Sequence, residues 1–142
     1  LIFNSHGGNE EMIQQAIEKQ KKAYPDLEIY TYYNQEAEET LGKLCHEFQI
    51  TPQQLGSHAG DMEASIMLYF MEEFVLKDQL QTGYLEGMTP DLRAEFHEKG
   101  IHTITPNGII GDQRGATKEK GERYVMAFRK MVLNYVKDLL GI

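Results

Sequence analysis

The feature that most constrains this chain is a change of hydrophobic period that repeats within its first fifty residues. Leu1 to Phe3 is a short apolar run that reads as the end of a buried strand. Beyond it Met12, Ile13, Ala16 and Ile17 recur at the spacing of one helix face, with Gln and Lys opposite, until Pro25 ends the pattern. Leu27 to Tyr33 then alternates and is rich in β-formers, which predicts a second strand. Asn34 follows as the cap of a second helix, whose apolar face is Ala37, Leu41, Leu44, Cys45 and Phe48. Strand, helix, strand, helix is the order of an α/β layered domain with a mainly parallel sheet.

The first junction in that order is Asn4-Ser5-His6-Gly7-Gly8-Asn9. Open α/β sheets place their sites at the carboxyl ends of strands, and two glycines let a backbone pass close to a ligand. Asn9 is expected to cap the helix, with Glu10 and Glu11 at the positive end of its dipole. His6 at the tip is a candidate metal ligand or catalytic group. The alternative is a tight turn whose histidine is merely hydrogen-bonded. Because the chain opens inside a strand and without methionine, the expectation is a single domain over 1–142 that lacks its N-terminal portion.

Further on, Thr51 to Gly60 reads as a loop. The stretch from Met62 to Met71 is apolar nearly all round, the pattern of a buried helix. Leu76 to Met88 has no clear period, and its apolar residues suit an interface as well as a core. Thr89-Pro90-Asp91 starts a short helix that runs to Lys99 and stops at Gly100. His102 to Ile104 and Gly108 to Ile110 read as short strands or extended loops. Thr117 caps a last helix with an apolar stripe of Val125, Phe128, Val132, Tyr135, Val136 and Leu139.

Composition excludes several classes of function. A net charge of −8 leaves no basic face for nucleic acid. No apolar run reaches the length of a membrane span, and no signal peptide is visible. One cysteine, Cys45, forbids an internal disulfide and fits a reducing, cytoplasmic setting. On its apolar helix face it reads as core.

Two more stretches could carry chemistry. In Ser57-His58-Ala59-Gly60-Asp61-Met62-Glu63, Glu63 shares a helix face with Met67, Phe70 and Phe74, so its carboxylate is expected among apolar groups. A buried carboxylate needs a cation, a donor set or a proton. A divalent metal would satisfy Glu63, as would the free amides of its own helix start. Asp61 reads as a cap or a supporting group. The stretch from Asn107 to Glu122 holds several glycines before a capped helix, but it lacks the Gly-Lys-Ser/Thr ending of a phosphate loop. A structural turn is its plain reading. His46 and His97 lie beside glutamates on predicted helices and read as solvated.

These stretches, in this order, resemble the creatininase family of metal-dependent amidohydrolases. The family's Asn-Gly-His-Gly-Gly-Asn turn appears as Asn4-Ser5-His6-Gly7-Gly8-Asn9. Its His-Ala-Gly-Glu-x-Glu-Thr-Ser segment appears as His58-Ala59-Gly60-Asp61-Met62-Glu63-Ala64-Ser65. Its Gly-Asp-Pro, Ala-Thr and Glu-Lys-Gly-Glu elements appear as Gly111-Asp112-Gln113, Ala116-Thr117 and Glu119-Lys120-Gly121-Glu122. The resemblance implies a three-layer α/β/α domain with a mainly parallel sheet and a metal site, often binuclear in the family, at the strand ends. It implies hydrolysis of a C–N bond in a small cyclic amide or formamide.

By the same resemblance His6 and Glu63 are metal ligands and His58 is the proton-transfer group. Gly7, Gly8, Asn9 and Asp61 are expected around the substrate. The metal would be zinc, manganese or iron, and the assembly a homo-oligomer such as a hexamer. Ser5, Asp61, Ala64 and Gln113 depart mildly from the pattern, and the absence of Trp argues against creatinine as substrate. The family also draws ligands from a Glu-x-His segment and an Asp that precede the turn. This chain alone is therefore expected to hold an incomplete metal site. The competing expectation is a truncated or degenerate, non-catalytic member that serves in assembly or small-ligand binding.

Overall fold

The computed structural model describes residues 1–32 and 37–142. The end of the expected second strand, Tyr33, and the expected cap Asn34 lie outside the described residues. The chain divides into two compact units, residues 1–38 with 130–142 and residues 39–129.

In the first unit, β1 (Ile2–Phe3) and β2 (Thr31–Tyr32) pair in parallel, with Ile2 opposite Thr31 and Phe3 opposite Tyr32. Parallel neighbours need a crossover connection, and α1 (Glu10–Ala23) supplies it. The α/β order expected from the sequence is thus present. Both strands are shorter than expected: residues 27–30 are not strand, although Tyr30 O accepts from Ile2 N at 2.8 Å. The first strand is also not buried: Leu1 is 51% and Phe3 54% exposed. A two-stranded ladder, the only sheet among the described residues, covers too little surface to enclose them. α1 buries Ile17 but leaves Met12 in solvent. The last turns of the C-terminal helix close the unit: Tyr135 packs edge-on against Tyr32 at 5.1 Å, and its hydroxyl donates to Thr31 O at 2.9 Å.

In the second unit the core gathers Leu44 and Cys45 of α2 (Ala37–Phe48), Leu55 of α3 (Pro52–Leu55) and Tyr124 of α6 (Lys118–Leu140). Phe48 meets the Tyr124 ring edge-on at 5.3 Å. α3 lies within the stretch expected as loop. Thr51 Oγ1 accepts from Gln54 N while Gln54 Oε1 accepts from Thr51 N, a capping box with proline in the first turn. That pattern was present in Thr51-Pro52-Gln53-Gln54 and stabilises one helical turn even where hydrophobic period is absent.

α4 (Asp61–Met71) follows, and it too corrects an expectation. It buries Asp61, Ala64, Ser65 and Leu68 on one face only; Met67, Phe70 and Met71 on the other are 42–62% exposed. An apolar sequence all round therefore does not mean a helix covered all round in this chain. α5 (Pro90–Lys99) matches its prediction, with Thr89 Oγ1 accepting from Leu92 N and Gly100 at the stop. Residues Ile101–Thr103 form a 3₁₀ turn rather than a strand, and Ile110 makes a single antiparallel bridge to His58. Thr117 caps α6 as expected, its hydroxyl accepting from Lys120 N at 3.2 Å. The buried hydrophobic residues of α6 are Tyr124 and Met131, which lie beside the predicted stripe. No described helix is long and apolar enough to cross a membrane.

α4 and α6 meet without room for a side chain. A Cβ on Gly121 would stand 2.0 Å from Ser65 O, in the backbone of α4. Backbone cannot rotate away as a flexible side chain can, so overpacking there forces the helices apart. Gly121→Ala is expected to lose about 2–3 kcal/mol of stability, read as a lower urea midpoint at unchanged slope. A loss below about 0.5 kcal/mol would show that the two helices can separate freely.

Candidate functional site

Each unit carries one candidate turn. In the first unit the chain leaves β1 and makes a 3₁₀ turn, Gly7–Asn9, before α1. His6 sits at the cap of that turn, exposed, with its Nδ1 accepting from Gly8 N at 3.1 Å. Asn4 Oδ1 accepts from His6 N at 3.2 Å and orients the same residue from behind. Asn9 was expected to cap α1 with its side chain. It stands at the right position but has helical backbone angles and makes no side-chain cap bond. The preceding 3₁₀ turn already carries the chain into helical geometry, so the capping side chain is His6.

In the second unit the turn is Ser57 to Gly60. The backbone of His58 is anchored on Ile110, whose N–H donates to His58 O at 2.8 Å. Behind it Gly111 has φ +152, and a Cβ there would stand 2.6 Å from the Cα of Gly60. The glycines of the second and third sequence stretches therefore serve one close backbone approach, the structural reading of the Gly111 segment. Ala59 adopts φ +49, a left-handed conformation that a non-glycine residue holds only where its surroundings dictate it. Glu63 is one such partner: its carboxylate accepts from Ala59 N.

That contact corrects the expected environment of Glu63. The side chain is exposed, not enclosed by Met67, Phe70 and Phe74, which are themselves 42–70% exposed. Its charge is satisfied by an amide before its own helix, one of the two outcomes that its position allowed. The buried carboxylate belongs to Asp61 instead, at 1% exposure. Asp61 Oδ1 accepts from Lys120 Nζ at 2.8 Å and Oδ2 from the Tyr124 hydroxyl at 2.9 Å. Asp61 was expected among the substrate-contacting groups; with both oxygens engaged inside the unit, it is an anchor for the start of α4.

Lys120 completes this cluster. Its ammonium also donates to Gly115 O at 2.8 Å and lies 5.7 Å from the centre of the Phe48 ring. Burial, then the Asp61 charge and hydrogen bond, push the Tyr124 phenol far above its usual range, so it stays a donor. Burial likewise raises the Cys45 thiol, which makes this cysteine core rather than nucleophile. In the sequence Lys120 appeared only within the Glu119-Lys120-Gly121-Glu122 element, with no role of its own, and Tyr124 was not singled out, although it stands four residues before Phe128 on α6.

His6, Gly7, Gly8 and Asn9 thus lie together at one turn, and His58 lies in another that leads into Asp61 and Glu63 in the first turn of α4. An exposed imidazole and an exposed carboxylate are donors of the type that hydrolytic metals take. Their number falls short, since such a metal takes three protein ligands. Among the described residues no group of three or more His, Cys, Asp or Glu side chains could hold a metal ion. The donors suit a metal in kind and do not complete a centre by themselves.

A second carboxylate, Asp112, is 6% exposed and takes a bidentate contact from Arg114, at 2.9 and 2.7 Å. The Arg114 hydrogen bonds hold its carboxyl below the usual range. Such a group stabilises the fold above its unfolded pKa, about 3.9, and loses that contribution as pH falls through its lower folded value. Stability is therefore expected to decline below about pH 4, and Asp112→Asn, weaker at pH 7, is expected to decline less steeply. Equal acid slopes in denaturation series of the two proteins would remove Asp112 from this account.

Comparisons with known proteins bear on the same stretches. The creatininase family model, described as creatinine amidohydrolase, matches residues 1–136. The mycofactocin precursor peptide peptidases of Mycobacterium ulcerans and Mycolicibacterium smegmatis are each 33% identical over 67 residues. That segment is 47% of this chain and 26% and 27% of theirs. A solved structure named "Putative creatinine amidohydrolase", from Bacteroides fragilis, superposes with a TM-score of 0.58 at 24% identity. The superposition covers 94% of this chain and 51% of that one, and it shows a shared fold.

Proposed function

This chain belongs to the creatininase family, and from that premise we propose that its protein is a metal-dependent amidohydrolase opening a C–N bond of a small cyclic amide or formamide. The observation that carries the reading is the His58 turn: an exposed imidazole on a backbone fixed by Ile110 and ending at a carboxylate-bound amide. An amide nitrogen leaves poorly as an anion, so hydrolysis needs a proton delivered to it as the bond breaks. His58 is the group of this chain suited to give that proton. Gly7, Gly8 and Asn9 would form the floor under the substrate.

His6 and Glu63 are the donors this chain would contribute to a divalent ion: zinc, manganese or iron. When bound, such an ion supplies a water whose pKa is lowered towards about 7. Glu63 would release Ala59 N to take that role, and the remaining ligands would come from residues other than these two. The peptidase names of the mycobacterial relatives make short peptides the competing substrate class. The second reading, a non-catalytic member serving in assembly as a homo-oligomer, is favoured by the exposed apolar face of Met67, Phe70, Met71 and Phe74.

Metal content and hydrolysis of a panel of lactams, formamides and short peptides, measured on the full-length protein, test these roles. His58→Ala is expected to lower kcat at least about 100-fold with metal content unchanged. His6→Ala is expected to lower the metal stoichiometry. Unchanged stoichiometry would remove His6 as a ligand. Absence of turnover by metal-loaded protein across the panel would favour the non-catalytic reading.

A further inference from the structure

We propose that Lys120 is the positioning residue for His58, acting through the buried carboxylate of Asp61. The inference begins from a cost. Taking an ammonium and a carboxylate out of water is repaid only when both are fully hydrogen-bonded. Here Asp61 uses one oxygen for Lys120 and the other for Tyr124, while Lys120, whose side chain is 15% exposed, adds Gly115 O. A pair of this kind is a poor source of stability compared with apolar packing. What it supplies is direction, because Asp61 is the first residue of α4 and the pair fixes where that helix begins.

The turn that carries His58 ends at that point. Gly60 precedes Asp61, and Ala59, in its left-handed conformation, precedes Gly60. On the upstream side His58 is fixed by its bridge to Ile110. On the downstream side the fixed point is Asp61, and through it Lys120. Between these points Ala59 N donates to the carboxylate of Glu63, which stands in the first turn of the same α4. The strained Ala59 turn therefore persists because both of its ends are held. The Lys120 ammonium bonds Asp61 and Gly115 O rather than His58, so its role is to set the direction of the turn.

The proposal uses the reading of His58 as proton donor only for its consequence in turnover. Its test measures the turn itself and stays separate from the activity of His58→Ala. Amide hydrogen exchange and the His58 ring resonance are followed by NMR in the full-length protein and in Lys120→Met, with His58→Gln to assign the resonance. The expected result is at least about tenfold faster exchange at Ala59 and Ile110 and a displaced His58 ring signal. The α5 amides of Arg93 and Gly100 are expected to keep their rates. A merely stabilising Lys120 would speed all of these amides together and leave the ring signal in place, which would overturn the proposal. If Lys120→Met does not fold, Tyr124→Phe removes one hydrogen bond to the same carboxylate. It is expected to speed Ala59 and Ile110 selectively, and unchanged rates there would overturn the proposal as well.

Discussion

The second unit depends on one buried carboxylate. Asp61 is sealed at the start of α4, and its two oxygens reach Lys120 and Tyr124 on α6, 59 and 63 residues further along the chain. Around this pair the other long-range contacts fall into line. Ser65, one turn beyond Asp61, accepts from Thr117 N at 3.2 Å and so meets the start of α6. Gly121 lets α6 pass against the Ser65 carbonyl. Leu44, Cys45 and Leu55 close over Tyr124 and Phe48. A misplaced Asp61 would leave a charge in an apolar region, which few alternative packings could satisfy.

The family's sequence signature has two physical layers in this chain. Gly60, Gly111 and Gly121 belong to close backbone approaches, and Asp61, Ser65, Thr117 and Lys120 to polar anchors. Those residues build the turn. His6, His58 and Glu63 remain exposed and are the residues to which we assign the proposed chemistry. A motif stretch therefore mixes scaffold and site, and burial separates the two where spacing does not.

The same distinction explains what the sequence made legible. Helices α1, α5 and α6 follow from local signals: acidic first turns, Thr-Pro and Thr caps, and apolar residues at helical spacing. The parallel α/β order follows from the alternation of periods. The roles of Asp61 and Glu63 could not follow locally, because the partners that bury Asp61 are distant in sequence. Periodicity instead pointed to Glu63, which shares a face with Met67 and Phe70. That face is exposed, and the face of Asp61, Ala64, Ser65 and Leu68 is the one turned inward. α3 shows the opposite case, a capping box written in Thr51-Pro52-Gln53-Gln54 that a loop-like composition concealed.

The central claim, that Asp61 and Lys120 act as one buried pair, is tested most directly by a double-mutant cycle. Asp61→Asn, Lys120→Met and the double variant are compared with the parent by urea denaturation. Each single change should cost about 3–5 kcal/mol by leaving its partner without a counter-charge. The double variant should be no worse than either single one, giving a coupling of at least about 2 kcal/mol. Additive losses, with coupling below about 0.5 kcal/mol, would contradict the account.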